Sequence, residues 1–339
     1  SDQALVDSVK ASGNVLLPID ASFEGDVAGS AVSPSAADQG FHPGGAGALD
    51  RRVVFPPFGA LAAAAAGFGH SLFILDSDGP IRHTVPFVSN RGVAIPSLGL
   101  AAALRVDGAV PSSVTMGDGT LRLGSRQLSL STRTVRAPDG PIQYAWGLVN
   151  FRGPAAMDGG RDGRPYARFA FFDLLVSEEQ MLAGQAPKVD PARFRDKVVF
   201  VGVSASGLSD AFATPFAGGK MPGAQVHAAV ADDVLSNRFL RPAAPIVRFG
   251  TSGVAGLGAG LLAAGVPVWW AIGLTGAALT AFWIAATQAF AAGLWINVTE
   301  PTLTASIALF AAVAYEYVIE GREKRRIKRL FGQIGRAHV

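Results

Sequence analysis

Residues 197–242, KVVFVGVSASGLSDAFATPFAGGKMPGAQVHAAVADDVLSNRFLRP, decide how this chain is read. They open with an apolar run, Val198 to Val203, rich in β-branched residues. Short runs of this kind predict a strand buried on both faces, as in a parallel sheet. Gly202, Ser204, Ser206 and Gly207 then turn the chain into a polar loop that passes Asp210 and Thr214. Beyond Met221-Pro222-Gly223, the residues Val226, Ala229, Val230 and Val234 recur at helical spacing. A helix is therefore expected to start near Pro222, a residue suited to a first turn. Strand, polar loop and helix lead directly into a long uncharged segment.

Several features of this stretch resemble the CHASE2 domain, a sensor module found outside the membrane in bacterial signalling proteins. They are the strand ending at Gly202, the SGLSD of Ser206 to Asp210, the Thr214-Pro215 pair, and MPG followed by Val226-His227. The resemblance extends upstream through GHSLFILDSDGPIRHTVPF (Gly69 to Phe87) and LVNFRGP (Leu148 to Pro154). It implies an α/β sensor domain with membrane spans behind it and an output domain beyond them. It also implies a span and a first strand ahead of Ser1, so the chain reads as truncated at both ends.

Composition agrees with a membrane protein. Charged residues are 16% of the 339, against about 25% in soluble proteins, and mean hydropathy is +0.32. Between Arg248 and Glu300 lie 51 residues without a charge, enough for two crossings at about 20 residues each. Leu303 to Val318 supplies a third, interrupted only by Glu316. The expected spans are 246–266, 268–290 and 301–320. Ser252, Gly256 and Gly260 offer one small face for helix packing, or alternatively a plain lipid-facing surface. Trp269, Trp270 and Trp295 stand near span ends, where amphipathic rings favour the interface.

Net charge is +3, but residues 246–339 carry 8 basic and 4 acidic side chains against 21 and 22 in the rest. The basic pI thus reflects one tail and gives no ground for nucleic-acid binding. Six of those basic residues fall between Arg322 and Arg329 with a single acid. Such a cluster beside a span marks the cytoplasmic side, so three crossings place residues 1–242 outside. Arg238, Arg241 and Arg248 argue weakly the other way. There is no cysteine, hence neither disulfides nor thiol chemistry.

Elsewhere, helices are expected over 4–11, 58–67, 96–106 and 169–182, and strands over 15–19 and 144–151. Hairpins are expected around Asp76-Ser77-Asp78-Gly79, where the runs 71–75 and 81–88 supply the strands and the aspartates serve the turn backbone, and around Gly124-Ser125-Arg126. The fold class is α/β, a layered domain with small hairpin additions followed by three transmembrane helices. The expected division is a sensor domain over 1–242, spans within 246–320 and a basic linker over 321–339.

No catalytic constellation is found. Gly202-Val203-Ser204-Ala205-Ser206-Gly207 fails the nucleophile elbow, because Ser206 takes its last glycine position. It fails the phosphate loop for want of Lys and Ser/Thr after the final glycine. A polar loop at the carboxyl end of a strand is still where open α/β sheets bind ligands. The ligand-binding candidates are therefore Ser204, Ser206, Asp210, Thr214 and His227, with hydrogen bonding within the loop as the alternative. No cofactor or metal is expected, and His227 is expected to be partly buried and hydrogen-bonded.

The functional expectation is a receptor in the inner membrane that senses an unknown extracytoplasmic signal. Glu320, the basic run and Leu330-Phe331-Gly332 resemble the junction that precedes adenylate/guanylate cyclase domains. Histidine or serine/threonine kinase outputs and a membrane-tethered hydrolase are the alternatives. A homodimer is expected, because Ile327, Leu330 and Phe331 form an apolar face suited to pairing with a second chain.

Overall fold

A computed structural model describes residues 2–22, 39–44, 47–51, 53–137, 140–155, 165–203, 210–216 and 219–334. It divides into two compact units, Ser1–Leu240 and Arg241–Val339.

The first unit is mixed α/β, built from several small sheets. It begins with α1 (Asp2–Ser12), β1 (Leu16–Ser22), β2 (Leu49–Asp50), β3 (Val53–Phe55), α2 (Gly59–Ala64) and β4 (Gly67–His70). β1 pairs in parallel with β4 and antiparallel with β3. Next come β5 (His83–Thr84), β6 (Phe87–Asn90), β7 (Val93–Pro96) and α3 (Leu98–Val106). β6 sits between β2 and β7, and its turn into β7 holds Arg91 and Gly92 at φ 50° and 86°, the type I′ geometry of tight hairpins. The strands β8 (Val114–Gly117), β9 (Thr120–Leu123) and β10 (Arg126–Ser129) form a meander. Asp118 and Gly119 make its first turn, again with both φ angles positive, and Gly124-Ser125 the second. A fourth sheet orders β11 (Ser131–Ala137), β12 (Gly140–Leu148) and β5. Then follow α4 (Phe171–Leu182), the two-residue pair β13 (Ala211–Phe212) and β14 (Met221–Pro222), and α5 (Gly223–Ser236).

The helix predicted at Pro222 is α5, capped by Asn237 at φ 51°, a left-handed position that asparagine tolerates. Val226, Ala229, Val230 and Val234 are all buried to 1% exposure or less, and each valine contributes about 1.5–3 kcal/mol by leaving water. α3 lies against α5 because Gly99 lets the backbones meet. A Cβ at that position would stand 2.4 Å from the His227 carbonyl oxygen. Gly69 plays the same part between β4 and α3, where a Cβ would fall 2.4 Å from the Leu98 Cα.

Three expectations are corrected. The run Val198 to Val203 forms no strand, and Val201 is 80% exposed. β-propensity becomes a strand only where a neighbour supplies the ladder, and none of the described strands pairs with it. Residues 71–75 are not a strand either. The Asp76-to-Gly79 turn exists, but its aspartates hold side chains as well: Asp76 binds Arg82 (3.0 Å) and Arg133 (2.8 Å), and Asp78 binds Arg82. His227 is the third correction and is described with the site.

The second unit contains β15 (Arg241–Pro242), α6 (Pro245–Gly265), α7 (Val268–Ala291), β16 (Leu294–Trp295) and α8 (Thr299–Ile334). Three helical segments are long and apolar enough to cross a membrane: Pro245–Gly265, Val268–Ala291 and Thr299–Ile319. The small face of α6 is used in part. A Cβ on Gly256 would come within 2.6 Å of Thr304 on α8, whereas Gly260 faces open space. Arg248 and Glu300 pair at the starts of α6 and α8 through a 2.7 Å Nε bond and a second contact. The Trp283 indole donates to Thr302 at 3.0 Å.

Candidate functional site

Of the predicted candidates, Asp210 and His227 lie against or on α5. Asp210 precedes β13, and its main-chain carbonyl accepts the Gly223 N–H at 3.1 Å. Its carboxylate lies over the first turn of α5, where a Cβ on Gly223 would be 2.4 Å from Oδ1. Glycine is required there for the acid to reach the helix start, a position that favours negative charge. Burial raises the Asp210 carboxyl above its ordinary value. Thr214 is buried next to Ala213, whose carbonyl accepts from Ile81. Ser204 and Ser206 lie outside the described residues.

His227 stands four residues after Gly223, on the same face of α5. It is 4% exposed, and neither ring nitrogen has a hydrogen-bond partner, contrary to the expected hydrogen-bonded state. Phe73 covers it, with ring centroids 4.5 Å apart, and Phe73 also packs on Phe212 at 5.0 Å. The packing of α5 against β13 and the Phe73 segment leaves apolar rings where a partner would have been. His70, fully buried, gives Nε2 to the Val85 carbonyl at 3.1 Å and leaves Nδ1 unpaired. Burial holds His227 down to about 4. Burial first, and then His227, holds His70 down to about 3. Both rings are neutral at ordinary pH. Among the described residues, no group of three or more His, Cys, Asp or Glu is placed to hold a metal.

The far half of α5 carries a cluster that sequence reasoning missed. Asp233 is fully buried and accepts the Asn150 N–H at 2.6 Å and Arg152 at 3.0 Å. Asp232 takes the Arg152 Nε at 3.2 Å, Tyr166 at 3.3 Å and Ser236 at 3.0 Å. Burial pushes the Asp233 carboxyl up to about 8, while the Asn150 N–H and Arg152 pull the other way. The Asn150 amide donates to the Arg238 carbonyl at 2.9 Å, and Leu148 bridges to Leu240. The LVNFRGP stretch thus clasps the C-terminal end of α5 and the residues that leave it. Two adjacent acids on an apolar helix face were the signal, since such carboxylates need a cationic partner elsewhere in the chain.

These motifs, the Gly69 segment, LVNFRGP and MPG with Val226-His227, meet around one helix. The CHASE2 domain model matches residues 1–273. The chain belongs to the CHASE2 family. The match runs past the first unit, through α6 and into α7. Neither the curated proteins nor the solved structures give a match. A CHASE2 sensor domain joined to three helices able to span a membrane makes the chain a multi-pass membrane sensor.

Proposed function

We propose that residues 1–242 of this CHASE2 protein form an extracytoplasmic sensor domain in a bacterial inner membrane. Spans within 246–320 and a basic linker over 321–339 then carry its signal to a cytoplasmic adenylate/guanylate cyclase, acting as a homodimer. The observation that carries this reading is α8. It is one unbroken helix of 36 residues from Thr299 to Ile334, about 54 Å long at 1.5 Å per residue. The hydrocarbon core takes about 30 Å of that. A continuous rod that leaves the membrane transmits rotation or translation; a flexible tether does not.

The input side is α5. It holds Asp210 at one end and the Arg152 clasp at the other, and a short connector, Asn237 to Ala244, joins it to α6. Asp210, Thr214 and His227, with Ser204 and Ser206 just ahead of them in the sequence, are the residues we assign to signal recognition. A displacement of α5 reaches the connector through Asn150 and Arg238. Ile327, Leu330 and Phe331, spaced along one face of α8, suit pairing with a second copy.

The test is a cyclase fused after Phe331, with one to four residues inserted after Gly321. Basal activity rising and falling with helical phase supports the reading. Equal activity at every insertion length refutes transmission through α8.

A further inference from the structure

Glu316 lies in the last turn of the third span, Thr299–Ile319, where a carboxylate is costly unless a cation meets it. Among the described residues it has no ion-pair or hydrogen-bond partner. Its own helix offers none within a turn, since Ala312, Val313, Ile319 and Glu320 occupy the neighbouring positions. It opens instead onto a groove of about 460 Å³ between α8 and the α6–α7 turn. Ala264, Val266, Pro267, Tyr315 and Ile319 line the groove beside it. The turn at Val266-Pro267 joins two consecutive spans, so it lies at a membrane face, and the groove opposite it stands at headgroup depth. Directly after it, the sequence places six basic residues between Arg322 and Arg329.

From this placement we propose that the groove binds an amine-bearing phospholipid of the phosphatidylethanolamine type. Its ammonium donates to Glu316 and its glycerol end lies on the apolar lining. The volume is that of a small-molecule site, and a few placed polar groups in an apolar wall are what gives such sites their specificity. Phosphatidylcholine has the same charge but no N–H to donate, so the carboxylate distinguishes the two. A charge-assisted hydrogen bond is worth about tenfold in affinity. Anionic lipids answer the basic run but meet repulsion at Glu316.

Native mass spectrometry of the full chain, released from nanodiscs containing equal phosphatidylethanolamine, phosphatidylcholine and phosphatidylglycerol, tests this. The expected result is about tenfold preferential retention of phosphatidylethanolamine over phosphatidylcholine, consistent with one such bond, lost in Glu316→Gln. Ala264→Phe keeps the carboxylate but fills the groove, and it should lose the preference too. Free ethanolamine should leave the bound lipid in place. Equal retention of the two zwitterionic lipids, preferred retention of phosphatidylglycerol, a preference that survives both substitutions, or displacement by free ethanolamine would each overturn the proposal.

Discussion

Acid should destabilise the first unit through His70 and His227. Both are buried neutral, held down to about 3 and about 4, whereas in the unfolded chain each titrates near 6.5. Because the folded values are depressed, the unfolded state takes up protons first as pH falls below 6.5. Stability is therefore full above 6.5 and is lost as pH drops towards 4. Each histidine contributes about 1.4 kcal/mol per pH unit in that window, so the pair costs about 4 kcal/mol between pH 6.5 and 5. That is a large share of a typical 5–15 kcal/mol. Asp233 works in the opposite direction. Its folded value, about 8, lies above the unfolded one, so acid favours the fold there and offsets about one histidine. The comparison with a variant removes that offset. His227→Phe, which keeps an aromatic ring against Phe73, should flatten the loss by about 1.4 kcal/mol per pH unit relative to wild type. Denaturant unfolding of the full chain in detergent, followed by near-ultraviolet circular dichroism at pH 6.5, 5.75 and 5, measures both slopes. Parallel pH dependence in wild type and variant would refute the buried, unpaired histidine.

Other substitutions read separate contacts. Arg152→Ala removes a hydrogen-bond partner from the fully buried Asp233, whose carboxyl is protonated in the folded state below about 8, and should cost about 1–3 kcal/mol, much of it regained in Arg152→Leu with Asp233→Leu, as seen in the same unfolding assay. Gly99→Val drives a side chain into the His227 carbonyl and Val230, and overpacking of this kind costs about 1–3 kcal/mol, read as a lower denaturant midpoint. On α6, Gly256→Leu should lower the melting temperature in detergent because it meets Thr304, while Gly260→Leu, facing open space, should leave it unchanged.

The helices and the membrane segments were legible because burial or lipid imposes a period or a length that composition displays. α5, α3 and the three spans lie within a few residues of their expected positions. The Gly124-Ser125 hairpin was legible from alternation. Asp118-Gly119 carried an equally plain turn signal that alternation alone passed over. Val198 to Val203 misled, because a β-branched run states a propensity but not a partner. The environment of the candidate residues was not legible. His227 stood out in the sequence, yet nothing local reveals that Phe73, more than 150 residues earlier, seals its ring. The Arg152 clasp joins positions about 80 residues apart, and only the fold brings them together.

The central claim, a sensor domain outside and an output end inside, is tested most directly by thiol accessibility. The chain has no cysteine of its own, so Ser125→Cys, on the exposed β9–β10 turn, and Lys328→Cys, on α8, report single positions. An impermeant maleimide is applied to intact cells, with lysed cells as the control. The account predicts labelling at position 125 in intact cells and at position 328 only after lysis. Labelling at 328 but not at 125 in intact cells would contradict it.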